Sequence, residues 1–524
     1  MSSTDKDTRS SKSIEQPLNS NRRIAKNALM LYIRMFISMI VSLYTSRVVL
    51  NVLGVEDYGT YGIVGGVVGM LGFLNASMSG ATSRFLTFEL GRGNMKRLSD
   101  TFASALIAHI GIAIIVFVIA ETIGLWFLLN KLVIPEGRMT AAHWVYQMSI
   151  VSAMIGITQV PYNATIMAHE KMDVYAYMEI LSVTLKLLIV YLLTIGNFDK
   201  LILYGALVLM VSITIRMIYR IYCIRHFEES HFHWVWDKSI MKPLLGFSGW
   251  DLYGNMAFTI RMHGANFIIN TFYGVALNAA CSVAATVQGI LMGFSTNVIS
   301  AFRPQIIKNY AVGDYKGMNE KIFFATKIAI TLLVLVTVPV YVKCSYVLKL
   351  WLKTVPDGTV ALAHVTLLMN LATCMSLIVL IGIHATGKMI RTGAFGGTLY
   401  ILTLPIMYVM LRLGMSYLDC YFMFLVMTCL FFIVNTLILR HQMREFQTRR
   451  YVLTVVAPLF LFFTCDLALA YYVSSFFEDT FLGLLVFVLI SVLLTVLLGI
   501  LIVFNKKERG MVKEMLLGFV RRLF

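Results

Sequence analysis

Fourteen stretches of roughly twenty apolar residues run through this chain, and they leave it one class of fold. They lie near 27–51, 60–83, 101–129, 144–167, 174–195, 201–222, 246–272, 275–301, 322–343, 360–386, 392–411, 417–439, 451–474 and 480–504. About 20 helical residues cross a bilayer core about 30 Å thick. No water inside that core can satisfy a free N–H or C=O, so each run must close its own hydrogen bonds as a helix. The expectation is an all-α integral membrane protein with about 14 transmembrane helices. Only 14% of the residues are charged, against about a quarter in a soluble domain. A lipid-facing surface accounts for the shortfall. Met1–Lys26 is polar and lacks an apolar core, so no cleavable signal peptide is expected, and the first span would start insertion itself.

A net charge of +17 raises the question of nucleic acid, and the placement of the charges answers it. The tails and even-numbered loops hold 31 of the 44 Lys and Arg residues, counting Arg220 with the loop it borders. The odd-numbered loops hold seven, counting Lys343, and six lie within spans. Basic residues resist translocation, so both termini are expected in the cytoplasm. No cluster of basic and aromatic residues points to nucleic acid. Seven cysteines form no CxxC pair and read as small packing residues. The longest loop, 224–245, carries Trp234 and Trp236 and is expected at the cytoplasmic interface. Beyond Lys506, Met511, Met515, Phe519 and Leu523 share one face of an expected helix lying on the inner leaflet.

The chain also repeats itself. "LNVLGVEDYGTYGIVGGVVGMLGFLNASMSGATSRFLTFELGRGNMKRL" from Leu50 aligns with "INTFYGVALNAACSVAATVQGILMGFSTNVISAFRPQIIKNYAVGDYKGM" from Ile269. Asn51 meets Asn270, Gly54 meets Gly274, Arg84 meets Arg303 and Gly93 meets Gly313, while "MAHEKM" from Met167 meets "HATGKM" from His384. Each unit contains six spans, an even number, so the halves are parallel repeats about an axis along the membrane normal. The expected organisation is a cytoplasmic tail (1–26), an N-lobe (27–224), a cytoplasmic linker (225–245) and a C-lobe (246–440). Two extra helices (451–504) and a cytoplasmic amphipathic tail (505–524) complete it. Two equivalent lobes around a central cavity are the plan of a carrier that opens to either side by rocking. Duplication for structural reasons alone would leave the same pattern.

"GIHATGK" from Gly382 imitates the start of a phosphate-binding loop, but Met389 replaces the magnesium-binding Ser/Thr and no strand precedes it. No cofactor is expected. No metal-ligand spacing and no nucleophile–base pair stands out, so neither a metal site nor a catalytic residue is expected. Charges inside spans carry more information, since a mid-membrane Arg or Lys costs about 2.5–3.5 kcal/mol on insertion scales. Lys327, Arg216 and Arg47 lie near enough to span ends to snorkel. Arg34 and Arg261 occupy the first helix of each lobe, and Lys186 lies in the fifth span. The expected substrate-binding set is Arg34, Arg47, Arg261 and Lys186, which favours an anionic substrate. Asp251 and Glu179, from a sparser acidic set, are candidates for ion coupling. A small-residue stripe on the second span (Gly62, Gly66, Gly69) is explained by helix packing.

"LGVEDYGTYGIV" from Leu53, "ATSRFLTFELGRGN" from Ala81 and "ATGK" from Ala385 resemble the Wzx-type polysaccharide repeat-unit flippases of the multidrug/oligosaccharidyl-lipid/polysaccharide (MOP) exporter superfamily. The resemblance spans the whole chain. It implies translocation of an undecaprenyl-pyrophosphate-linked oligosaccharide across the bacterial plasma (inner) membrane, without enzymatic activity. It also implies membrane lipids as partners, together with the polysaccharide polymerase and chain-length machinery, and a cationic cavity in which Arg34, Arg47 and Arg261 neutralise the pyrophosphate. Two rival readings remain: a cation-coupled multidrug exporter of the same superfamily, and a membrane glycan polymerase or ligase. The expected external loops, 129–143 and 342–359, are short for the latter. Reporter fusions should place Lys96, Lys238, Lys316 and Arg449 in the cytoplasm, and Arg138 and Lys353 outside. An external signal at Lys238 or Arg449 would overturn both the span count and the repeat.

Overall fold

The computed structural model describes residue 27 and residues 29–510 apart from 43, 46–47, 50–51, 55–56, 59, 63, 66–67, 69–71, 131–133, 135–136, 194–197, 353–354 and 507, with the side chains of 72, 73, 76, 263, 274–276, 278 and 279 not described. The expected amphipathic face beyond Lys506, Arg47, and most of the glycine stripe on the second span therefore lie outside the described residues. No strand occurs among the described residues.

The chain divides into two compact units at Asn255 and Met256. The first contains α1 (Leu29–Ser42), α2 (Gly72–Arg92), α3 (Met95–Asn130), α4 (Met139–Ala168), α5 (Met172–Leu192) and α6 (Lys200–His226), with the start of α7 (Lys238–Ala311). The second holds the rest of α7, then α8 (Tyr315–Val342), α9 (Cys344–Leu352), α10 (Thr359–Thr386), α11 (Ile390–Arg412), α12 (Tyr417–Gln442), α13 (Thr448–Ser474) and α14 (Phe481–Val503). Ten helices among the described residues are long and apolar enough to cross a membrane. Helices α2 and α4 have the length but not the apolarity. Large apolar side chains such as Ile114, Phe460, Leu489 and Leu493 remain exposed, as a lipid-facing surface requires.

Loops end where the sequence supplies caps. Asn94, Asp199, Asp314 and Thr480 each accept a backbone N–H at the start of α3, α6, α8 and α14, and Ser416 with Asp419 forms a reciprocal capping box on α12. The repeat is visible in the backbone. The most extensive packing in the first unit is α4 on α6, and in the second it is the corresponding pair, α10 on α12. Gly93 and Gly313, matched in the repeat, both turn at positive φ (70° and 79°). Glu170, matched to Gly387, is the one non-glycine at positive φ among the described residues (59° against 76°). The backbone adds a further match: "PEGRMTAAH" from Pro135 corresponds to "PDGTVALAH" from Pro356, and Gly137 and Gly358 both have φ 81°.

Three expectations need correction. Spans seven and eight are not separated near 273–275, because α7 is continuously helical there, including Gly274. Its repeat partner Gly54 instead has a left-handed φ of 81°. The stretch 342–359 is not simply a loop, since it holds α9. Lys327 does not snorkel to water: it is buried on α8 and donates to Glu508 just past α14 (2.8 Å). The nucleotide-loop imitation "GIHATGK" is the C-terminal end of α10, where the Thr386 hydroxyl donates to Gln442 Oε1 (2.6 Å). Pro161, Pro339 and Pro405 lie inside helices, and Pro458 follows a π-helical turn at Val452–Val456.

One ion cluster ties three segments of the first unit. Arg138, just ahead of α4, gives paired hydrogen bonds to Asp57 (2.7 and 2.6 Å), in a helical stretch ahead of α2, and to Asp199 (2.6 and 3.2 Å), which caps α6. Burial alone would raise the Asp199 carboxyl, but Arg138 and the Ile202 and Leu201 N–H groups outweigh it and hold it below the ordinary aspartate range. The repeat places Thr359 at the matching position of the second unit, so this clamp belongs to the first unit alone. Arg138→Ala should cost about 1–3 kcal/mol of stability, read from thermal unfolding. Arg138→Lys should recover only part, since an ammonium cannot serve two forks. A carboxyl held low stabilises the fold above the usual aspartate pKa and loses that effect as pH falls through the lowered value. The wild-type advantage over Arg138→Ala should therefore shrink in acid.

Candidate functional site

Helix α4 lacks the apolarity of a simple span because one face is built of small and polar residues. Ser152, Gly156, Gln159 and Asn163 recur every three or four positions and so line up along the helix. That face borders two adjoining cavities in the first unit, of about 360 and 160 Å³, which share Ser152 and Gly156. The larger also meets Tyr61, Asn75 and Gly205, and Gly205 lets α6 approach Val145 and Met148 closely. The smaller is lined on its second side by α5, whose Tyr175, Glu179, Ser182 and Lys186 again repeat at helical spacing. Ser212 and Tyr219 of α6 complete it.

Helix α1 brings a further cation to this wall. Arg34 stacks over the Tyr175 ring at 5.1 Å, and its Nε is buried without a hydrogen-bond partner. Three residues named from sequence, Arg34, Glu179 and Lys186, thus converge on one region of the first unit. Arg47 lies outside the described residues. Asp251 lines neither cavity; it accepts a hydrogen bond from Asn255 (3.2 Å) one turn along α7.

The second unit holds its cation differently. Arg261 is 6% exposed, with its guanidinium 4.9 Å from the Tyr400 ring of α11, 5.2 Å from Phe424 of α12 and 5.6 Å from Phe258. Its Nη1 is buried without a hydrogen-bond partner, and no carboxylate pairs with it among the described residues. A desolvated cation–π contact contributes on the order of 2 kcal/mol. Three such faces hold the guanidinium without neutralising it. Arg216 is held in a similar way over Tyr162 at 5.4 Å.

The neutral lining of the first-unit cavity was not anticipated from sequence. Ser152, Gln159, Asn163, Ser182 and Ser212 carry no charge and match no motif. The three- and four-residue spacing of polar residues on α4 was the available signal. Among the described residues, no group of three or more His, Cys, Asp or Glu side chains could hold a metal ion.

No protein-family model and no curated protein matches the chain. Solved structures do. A MATE transporter in its bent conformation superposes with a TM-score of 0.70 at 13% identity, over 83% of this chain and 98% of that one. An outward-facing multidrug resistance MATE family transporter of the MOP superfamily gives 0.68 at 14%, covering 82% and 98%. The fold is that of the MATE transporters. A MOP superfamily transporter from Pyrococcus furiosus, described as having a binding pocket of reversed polarity and a different function, gives 0.63 at 14% over 82% and 98%.

Proposed function

We propose that this MATE-fold chain is a carrier that moves an undecaprenyl-pyrophosphate-linked oligosaccharide from the inner to the outer leaflet of the bacterial plasma membrane by alternating access. The observation that carries the reading is the state of the interior cations. Arg34 and Arg261 sit on the first helix of each half, stacked on aromatic rings and without a carboxylate partner among the described residues. A guanidinium held this way keeps its charge and at least one unpaired N–H donor, Nε of Arg34 and Nη1 of Arg261, and a pyrophosphate offers both a counter-charge and acceptors. Lys186 adds a point charge on the cavity wall, and Arg47 belongs to the same proposed set. The neutral hydroxyl and amide groups of α4, α5 and α6 suit the hydroxyls of a glycan. The polyprenyl tail remains in the bilayer. The Pyrococcus furiosus transporter, with its reversed pocket polarity, is consistent with this fold serving substrates of different charge. A polysaccharide polymerase and chain-length machinery are the proposed downstream partners.

A cation-coupled multidrug exporter is the second reading. The multidrug MATE neighbour and Glu179 on the cavity wall favour it, since a carboxylate there would suit a lipophilic cation or a coupling ion. Asp251 is the other coupling candidate carried from the sequence.

Export measurements in cells separate the two. Arg34→Ala and Arg261→Ala should each reduce surface glycan at least about tenfold, the loss of one charge-assisted pair, while protein level stays near normal. Lys at either position should rescue in part. Transport in proteoliposomes should proceed without ATP. Stable Ala variants that export glycan normally would remove the flippase reading. Loss of lipophilic-cation efflux in Glu179→Gln, with glycan unchanged, would establish the exporter in its place.

A further inference from the structure

Helices α13 and α14 lie outside the six-span repeat, and they enclose a carboxylate that lines neither described cavity. Asp466 of α13 is 1% exposed, eight residues before the helix ends at Ser474, or about 12 Å along the axis. Across from it on α14 are Ser491 and Thr495, 1% and 0% exposed. The Thr495 hydroxyl stands 2.8 Å from Asp466 Oδ2 and 2.9 Å from the Ser491 carbonyl. A threonine has one hydroxyl proton, so two acceptors compete for a single donor. Asp466 Oδ1 and Ser491 Oγ are each buried without a hydrogen-bond partner among the described residues. Acceptors outnumber donors around a group that carries a full negative charge when ionised.

No cation among the described residues corrects the balance. Helix α14 has no ionisable residue from Phe481 to Val503. On α8, which packs against both helices, Lys327 is engaged by Glu508 at one end and Lys343 by Asp479 at the other. Tyr341 of α8 stacks on His364. On α13 itself Tyr471 and Tyr472 face outward, Cys465 is a free cysteine, and Tyr451 meets Thr326 near the opposite end. Helix α14 turns π-helical at Gly499–Val503, one turn beyond Thr495, a distortion often found beside functional sites. An isolated carboxylate in so apolar a place carries a desolvation cost that a bound cation removes.

We propose that Asp466, Thr495 and Ser491 form a binding site for one monovalent cation, a proton or a sodium ion, which joins α13 to α14. A proton on Oδ2 would be donated to Thr495 Oγ1, freeing the threonine proton for the Ser491 carbonyl, so both donors are satisfied. Sodium would instead take oxygens from the carboxylate, the two hydroxyls and that carbonyl. Either ion neutralises the carboxylate and fastens the helix pair. The site does not depend on what the carrier transports.

Purified full-length protein in nanodiscs is melted from acid to alkaline pH, in sodium chloride and in choline chloride, beside Asp466→Asn and Thr495→Val. A ligand that binds the folded state stabilises it by mass action. The wild-type midpoint should therefore rise by a few degrees as pH falls or, if sodium is the ligand, at alkaline pH when sodium replaces choline. Asp466→Asn, neutral and nearly isosteric, should lose that response, and Thr495→Val should need more of the ion to show it. A response to pH alone identifies the proton, and a sodium response identifies sodium. Equal responses in wild type and Asp466→Asn would overturn the proposal. Should the Asn variant fail to fold, infrared spectra of the wild type decide. A carboxyl band that changes with neither pH nor sodium overturns the proposal, and one that changes in step with the melting response supports it.

Discussion

A cation inside a bilayer must find an anion, water or the face of an aromatic ring, because bare hydrocarbon offers it nothing. This chain uses different solutions in different places, and its organisation follows from which one applies. Where a charge serves structure alone, it is neutralised: Lys327 by Glu508 beneath α14, Lys343 by Asp479, and Arg138 by Asp57 and Asp199. Two interior guanidiniums are stacked on aromatic rings instead. Arg261 among Phe258, Tyr400 and Phe424, and Arg34 on Tyr175, are positioned without losing their charge. The paired cations hold helices and connections together, and the stacked ones are held by rings without a carboxylate among the described residues.

The polar face of α4 belongs to the same pattern. Ser152, Gln159 and Asn163 would be costly against lipid, and here they face a cavity bounded by α5 and α6. Small residues at Gly156 and Gly205 keep the space open between closely packed helices. Helix α14, uniformly apolar on the outside, buries its only hydroxyl pair against Asp466. The polar positions of a span therefore report what it faces more directly than its mean apolarity does.

Much of the fold was legible in the sequence because the bilayer restricts it so strongly. Span length, the repeat and the capping residues each leave a periodic or positional signal, and Gly93 and Gly313 turn as their match required. The failures have physical reasons. The break expected between the apolar runs 246–272 and 275–301 is absent at Gly274, because glycine permits a turn without enforcing one. The burial of Lys327 could not be read from its own span, since its partner Glu508 is 181 residues away. At the candidate site, charge made Arg34, Glu179 and Lys186 conspicuous, whereas the neutral side chains between them were indistinguishable from ordinary polar residues in a helix. The clamp at Arg138 was hidden for the same reason as the Lys327 pair: its two carboxylates come from distant segments.

The central claim is that the interior cations are held for an anionic ligand. Binding to the purified protein in nanodiscs tests it most directly, with an undecaprenyl-pyrophosphate-linked oligosaccharide as ligand and inorganic pyrophosphate or a lipophilic cation as competitor. The account predicts saturable binding that weakens with ionic strength and yields to pyrophosphate but not to the cation. Binding should fall at least about tenfold in Arg34→Ala. Saturable binding of the lipophilic cation, with no binding of the pyrophosphate ligand, would contradict it.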